Sequence, residues 1–432
     1  MSEWASWGRV HQAAPARVIS LVDRAAALPD GAGRSLLAYG RGRSYGDVCL
    51  NRDGVILHTR GLDRWIRFDR QSGVLSCEAG VTLREILQLV VPQGWFLSVT
   101  PGTREVTVGG AIANDVHGKN HHAAGTFAHH LRGFELLRSD GARLDCTPAR
   151  HPDWFAATVG GLGLTGLVTR AELQLAPVAN AYLDVQTLRF HDLDEFWELN
   201  AEAERLWPYT VAWLDCAARG ASQGRGVFSC ARHAPSQPDL PLFRERRRTM
   251  PFTPPFSLVN PLSLRAFNGL YWHKARTRRA LSHYVPYFYP LDAIAHWNRL
   301  YGRAGFYQYQ CVVPPSTMRE AIAELLARIA ASGQGSFLAV LKTFGSKPSL
   351  GLLSFARTGA TLALDFPNRG AVTQHLFQDL DVIVRSAGGA LYPAKDARMP
   401  PDLFRQAYPR LQDFTSFVDP AFGSDFWRRM CA

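Results

Sequence analysis

Gly40-Arg41-Gly42-Arg43-Ser44-Tyr45-Gly46-Asp47 follows directly on the apolar run Leu36-Leu37-Ala38-Tyr39, which reads as a short buried strand. Glycine lets backbone N–H groups approach an extended anion, a pyrophosphate for example, without Cβ clashes. The loop is not a Rossmann fingerprint, because the GxGxxG spacing with a helix directly behind it is missing, and no Gly-Lys-Ser/Thr makes it a P-loop. Alone it is a turn. It has company, however, in Pro101-Gly102-Thr103 with Val106 through Gly109-Gly110 to Ala113, in His117-Gly118-Lys119-Asn120 with Gly125, and in the glycines between Gly160 and Gly166. Four such clusters in one lobe point to backbone wrapped closely around one long ligand.

Outward from the loop, residues 16–28 place Val18, Leu21, Val22 and Ala25 at helical spacing, and Pro29 and Gly31 end that helix. Strands are expected at 54–58, 64–69 and 74–79. Thr82 and Glu85 form a capping box before an apolar helix that stops near Pro92, and Leu167–Leu173 alternates as a strand should. After Pro177 the chain holds more aromatics and longer helical patterns. Thr317 and Glu320 again suggest a capping box, with Gly333 as the stop; strands follow at 336–341 and 361–366. The fold class is α+β. Its expected organisation is a first domain at 1–179, completed by a C-terminal return at 390–432, and a second domain at 180–389 with an antiparallel sheet covered by helices.

The chain has 432 residues, 47% of them hydrophobic, which is too many for one compact core. The net charge of +11 favours an anionic partner. Seven scattered cysteines without a CxxC argue against a disulfide framework or a zinc-cysteine site and for a reducing compartment. The N-terminus shows no basic and apolar leader, and no apolar stretch is long enough to span a bilayer, so a cytoplasmic location is expected. A nucleic-acid binder would also be basic, but no recognition motif is present and no nucleic-acid partner is expected.

Taken in order, GRGRSYGD at 40–47, PGTREVTVGGAIANDVHGKN at 101–120 and GGLGLTGLVTRAEL at 160–173 resemble the FAD domain of the vanillyl-alcohol oxidase type flavoproteins. Within that superfamily the chain is similar above all to the decaprenylphosphoryl-ribose oxidase family. The likeness continues through Ala212-Trp213-Leu214-Asp215, Gln308-Tyr309-Gln310, Leu341 to Gly345, Asp365-Phe366-Pro367 and Tyr392 to Arg398, nearly the whole chain. Two positions depart from the family, His296 in place of glutamate and Asn114 in place of cysteine.

The resemblance implies that Gly40, Arg41, Gly42, Arg43, Ser44, Tyr45 and Gly46 hold the FAD pyrophosphate, with Tyr45 near the flavin. Pro101, Gly102, Thr103, Val106, Gly109 and Gly110 would line the other side, together with Ala113, Asn114, His117, Gly118, Asn120 and Gly125. Gly166 and Val168 would meet the adenine end. His117, Lys119, Gln308, Gln310, Lys342, Tyr392 and Lys395 would face the flavin or the substrate, and Trp213 would join the substrate contacts. Some relatives bind FAD covalently through a histidine in the first loop. Arg43 stands there and 114–130 lacks cysteine, so non-covalent FAD is expected. The implied reaction oxidises a secondary sugar hydroxyl, at ribose C2 of a polyprenylphosphoryl ribose, as the first half of epimerisation to arabinose for arabinan and cell-wall synthesis. A keto-sugar reductase would be the partner, and a quinone or oxygen the final acceptor. An alditol or aldonolactone oxidase acting on a free sugar is the alternative. Tyr45, His117, Lys342 and Lys395 remain equal candidates for the catalytic base.

Residue chemistry and spacing bear on the same positions independently. His117 and His121 stand four apart, as metal ligands on a helix do, but the surrounding glycines argue against a helix, and no metal is expected. Lys342 and Lys395 follow apolar runs rather than lying in polar surface. Gln308 and Gln310 flank Tyr309 on one strand face, suiting a sugar site. Finally, residues 241–290 carry nine Lys/Arg (Arg244, Arg246, Arg247, Arg248, Arg265, Lys274, Arg276, Arg278 and Arg279) against Glu245 alone. Around an apolar, proline-rich middle that defines no firm helix, they suit peripheral docking on an anionic membrane surface.

Overall fold

The loop at 40–47 hangs from a three-stranded parallel sheet in which Val55–His58 lies between Arg17–Ser20 and Leu36–Tyr39. This is seen in a computed structural model that describes residues 4–237 and 240–431; Met1–Glu3, at the N-terminus read above as leaderless, lie outside the described residues. Where a helix was expected over 16–28, the chain forms the Arg17–Ser20 strand and then a turn. The β-branched pair Val18-Ile19 takes up parallel pairing with Ile56 and Leu57, and Asp23 Oδ1 accepts from the Ala25 N–H to start the turn. The apparent helical spacing has no apolar face to serve, since Val22 is exposed.

Beside it, an antiparallel sheet runs Trp65–Asp69, Val74–Glu78, Leu167–Pro177, Leu131–Leu137, Arg143–Cys146. The Leu83–Val90 helix packs Leu83, Ile86, Leu87 and Val90 inward, and its Thr82–Glu85 capping box is complete. The segment after Asp419 returns to this region: Leu36 N–H donates to Ala421 O and Gly423 N–H donates to Leu36 O.

An eight-stranded antiparallel sheet makes the rest. Its order is Arg278–His283, Tyr182–Phe190, Gly226–His233, Tyr209–Leu214, Ala339–Phe344, Gly359–Pro367, Phe306–Val313, Ala390–Leu391. Successive side chains in a strand point to opposite faces. Ala212, Leu214, Phe228, Leu341, Leu362 and Leu364 therefore turn outward, where the helices Leu193–Leu206, Met318–Ser332 and Ala371–Ser386 bury them in the largest core. Val211, Trp213, Val227, Lys342, Ala363 and Gln310 turn inward, toward the glycine loops. The chain is thus a mixed α/β protein with a large antiparallel sheet.

Three further expectations need correction. The strand expected at 336–341 runs from Ala339 to Phe344, which places Lys342 inside it rather than after it. Thr317 does not close a capping box; its hydroxyl donates instead to Ala387 O, although Gly333 does end the helix with φ +67°. Within 241–290, Pro261–Lys274 forms a helix after all, capped by Asn260 and seated through Leu264, Asn268 and Trp272, one residue per turn.

Candidate active site

A cavity of about 830 Å³ lies between the glycine loops and the inner face of the large sheet. One wall carries Gly40, Arg41, Gly42, Arg43, Ser44 and Tyr45, then Pro101, Gly102, Thr103, Val106, Gly109 and Gly110. Ala113, Asn114, His117, Gly118, Lys119, Gly166 and Val168 complete it. The opposite wall presents Gln308, Gln310, Trp213 and Lys342, and Tyr392 and Lys395 also border the space. The structure thus brings nearly all the residues singled out from sequence onto one cavity. Three are placed elsewhere. A Cβ on Gly46 would stand 1.5 Å from Asp396 O, so that glycine serves chain packing. Asn120 is buried, donating to Ser98 O, and Gly125, at φ +77°, ends the short His121–Ala124 helix against the His129 ring.

The cavity holds a polar cluster in an apolar frame. Lys342 Nζ lies 2.9 Å from His117 Nδ1 and donates to Gly118 O at 2.7 Å. Gln310 Nε2 lies 3.2 Å from His117 Nε2 and donates to Thr361 Oγ1. Both imidazole nitrogens thus meet nitrogen partners, and a neutral ring has one N–H and one lone pair. With Lys342 charged, Nδ1 accepts, Nε2 carries the proton, and the Gln310 amide turns its oxygen to it. With Lys342 neutral, the reverse tautomer fits. Burial pushes Lys342 down to about 7, helped by Lys119 and Lys395. Burial also depresses His117 well below its ordinary range, with Lys342 adding to the effect. Lys119, over the Tyr287 ring at 4.2 Å, is pushed by burial to about 7.

Lys395 Nζ sits 4.1 Å over the Tyr45 ring, a cation–π contact. Burial lowers its pKa and the Asp365 carboxylate pulls it back up. Asp365 itself is buried, and burial raises it. Its Oδ1 accepts from Gln308 Nε2 at 2.7 Å, and Oδ2 has no hydrogen-bond partner among the described residues. Burial also raises Tyr45 well above 10, so its hydroxyl keeps its proton.

A match to the FAD binding domain family covers residues 16–147. Decaprenylphosphoryl-beta-D-ribose oxidase of Mycolicibacterium smegmatis is 36% identical, over 96% of this chain and 93% of its own. The chain belongs to that family of FAD-binding flavoproteins. An uncharacterised protein of Streptomyces coelicolor is 38% identical over 81% of this chain and all of its own. L-gulonolactone oxidase of Mus musculus is 29% identical over 32% of this chain and 31% of its own. The flavoprotein is an FAD-dependent oxidoreductase.

The cavity fits that cofactor on its own terms. Among the described residues, the backbone N–H groups of Arg41, Gly42, Arg43 and Ser44 donate to no protein acceptor. A Cβ on Gly102 or Gly163 meets no protein atom within 4 Å, so both leave open space along the wall. Arg43 Nε and Asn114 Oδ1 are buried without hydrogen-bond partners at the same cleft. Donors facing open space are what a pyrophosphate requires.

Sequence reasoning missed Thr361, Ala363, Val185, Val227 and Tyr287 on the cavity wall. They come from four elements, with Thr361 and Ala363 sharing the Gly359–Pro367 strand. Alternation along 182–190 and 226–233 was the available signal.

Proposed function

We propose that the flavoprotein oxidises the C2 hydroxyl of a ribose carried on a polyprenyl phosphate, yielding the keto sugar that a partner reductase turns into the arabinose form. The observation that carries this reading is the facing of the two walls. A sheet presenting Gln308, Gln310, Lys342 and Thr361 stands across one cavity from the glycine loops. The name borne by the Mycolicibacterium smegmatis relative supports it.

The 40–45 and 101–110 loops would hold FAD non-covalently, with Arg43 in the place of a covalent histidine. FAD, when bound, would supply a two-electron acceptor for the hydrogen leaving the carbon, with a quinone or oxygen as the final acceptor. Gln308 and Gln310 orient the sugar hydroxyls from one strand face. The His117–Lys342 pair is the proton acceptor, since burial leaves a lone pair on it near neutral pH. Tyr45 keeps its proton and supports Lys395, which supplies fixed positive charge at the reacting end. The test is anaerobic rapid mixing. Polyprenylphosphoryl ribose should bleach the flavin absorbance, while alditols and aldonolactones leave it; bleaching by the free sugar alone overturns the reading.

The protein works as a peripheral cytoplasmic enzyme on an anionic bilayer, through residues 241–290. No helix of the described residues is long and apolar enough to cross a membrane. Leu242, Phe252, Phe256, Leu262 and Leu270 are exposed beside the basic residues of this segment. Each cation gains up to about 1 kcal/mol near an anionic surface, less in salt. Anionic liposomes should co-sediment the protein, and neutral ones or added salt should not; indifference to anionic vesicles at low salt removes the docking claim.

A further inference from the structure

We infer that the lipid tail of the substrate lies inside the protein, along an apolar trough on the inner face of the large sheet that runs from Lys342 to the edge strand Arg278–His283. The inference rests on the reading above, that the sugar is lipid-linked.

The trough follows from register. Trp213 pairs with Val340 on one side and with Val227 on the other. Val211 pairs with Ser229, Ser229 with Thr187, and Val185 with Ala280. Directly paired residues share a face, so these side chains form one continuous floor, and all of its members except the Val340-Trp213 end are small or β-branched. The cavity extends over this floor, walled by Pro286, Tyr287 and Phe288. Between Lys342 at one end and Arg278 at the other, the floor residues that line the cavity bear no charge; Arg189, paired with Val227, turns away over the Trp272 ring. Four strand spacings separate the Lys342 strand from the edge strand, about 19 Å at roughly 4.8 Å each. That length takes several isoprene units.

The far end opens onto the surface. Leu281 borders it at 44% exposure, on the same edge strand as the exposed Arg278 and Ala280. Tyr271, 45% exposed, packs at a tilt against Trp213 with ring centroids 4.6 Å apart, so the Pro261–Lys274 helix flanks the trough at its Trp213 end. The trough therefore leads from the polar cluster to the exposed apolar and basic residues of 241–290. A free sugar has no use for such a path.

The test uses Ala280→Trp at the exposed edge and Val185→Trp in the middle, with a water-soluble ribosyl phosphate bearing a few isoprene units and the same sugar phosphate without a tail. Flavin bleaching is the readout. Blocking the trough should raise KM for the tailed sugar at least about tenfold, the equivalent of roughly two buried methylenes. Its kcat and the KM of the tail-less sugar phosphate should stay within about twofold of wild type. Ala280→Trp is on the surface and keeps the test valid if Val185→Trp fails to fold. If wild type is bleached by the tailed sugar and Ala280→Trp shows the same KM, the trough assignment is wrong and the function stands. If neither sugar bleaches wild type, the function falls first.

Discussion

The glycine wall of the cavity is built from consecutive residues, and the sheet wall from residues that stand one strand apart. On the first, 40–45 and 101–103 each bring a run of neighbouring residues to the cavity. On the second, Gln310, Thr361, Lys342, Val211 and Ser229 come from five strands and meet only through register. The first wall works through main-chain amides, which every residue has, so its chemistry is written in the absence of side chains. The second works through side chains, and a one-residue slip in any strand would turn its contribution to the opposite face.

That difference can be tested by breaking each wall. The largest effect belongs to Gly46→Ala. Its Cβ would collide with the Asp396 backbone, which cannot withdraw as a flexible side chain can, so the variant should fail to fold, as judged by yield and circular dichroism. Lys395→Ala should come next, with flavin reduction slower by about 10²-fold or more at nearly unchanged FAD retention. An unchanged rate in rapid mixing would return Lys395 to a packing role. Gly102→Val is subtler. The site is open in the protein alone, so the melting temperature without cofactor should stay within a degree or two while FAD affinity drops about tenfold or more. Equal losses in both would show that the open space does not serve the cofactor.

The smallest effect is a pH slope. Lys342 and Lys119 fall from 10.5 to about 7 in the folded protein. Between those values the unfolded chain binds more protons, so cofactor-free stability should rise with pH from about 7 to 10.5 and be lost as pH falls through 7. Lys342→Met should flatten the rise seen in denaturant titrations, and a slope unaltered by that change would place its origin elsewhere.

The same contrast explains what the sequence made legible. Glycine clusters, the Thr82–Glu85 box and the Leu167 strand are local, and each stands where expected. The failures are cases where partners decided. Val18-Ile19 had helical companions in sequence but a strand to pair with in space. Thr317 had a glutamate three residues on, but a nearer carbonyl at Ala387. Asn120 and Gly125 belong to the cofactor motif by position, yet the fold uses them to hold that motif in shape. The tail of the cavity was invisible because Val185 and Ala280 are ordinary strand residues until register sets them side by side.

Arg104, almost wholly buried, has one further consequence. Its guanidinium pairs with Glu245, the lone acid of the basic segment, while its backbone N–H and the Thr103 hydroxyl are held by Asp292 at 3.0 and 2.6 Å. Glu245 also reaches Arg84, which grips Glu105. The segment that would meet the bilayer and the loop that would border the cofactor are therefore fastened to the same residue. Thermodynamic linkage between two sites is reciprocal. If surface contact alters cofactor affinity by some factor, loading with cofactor must alter surface affinity by that same factor.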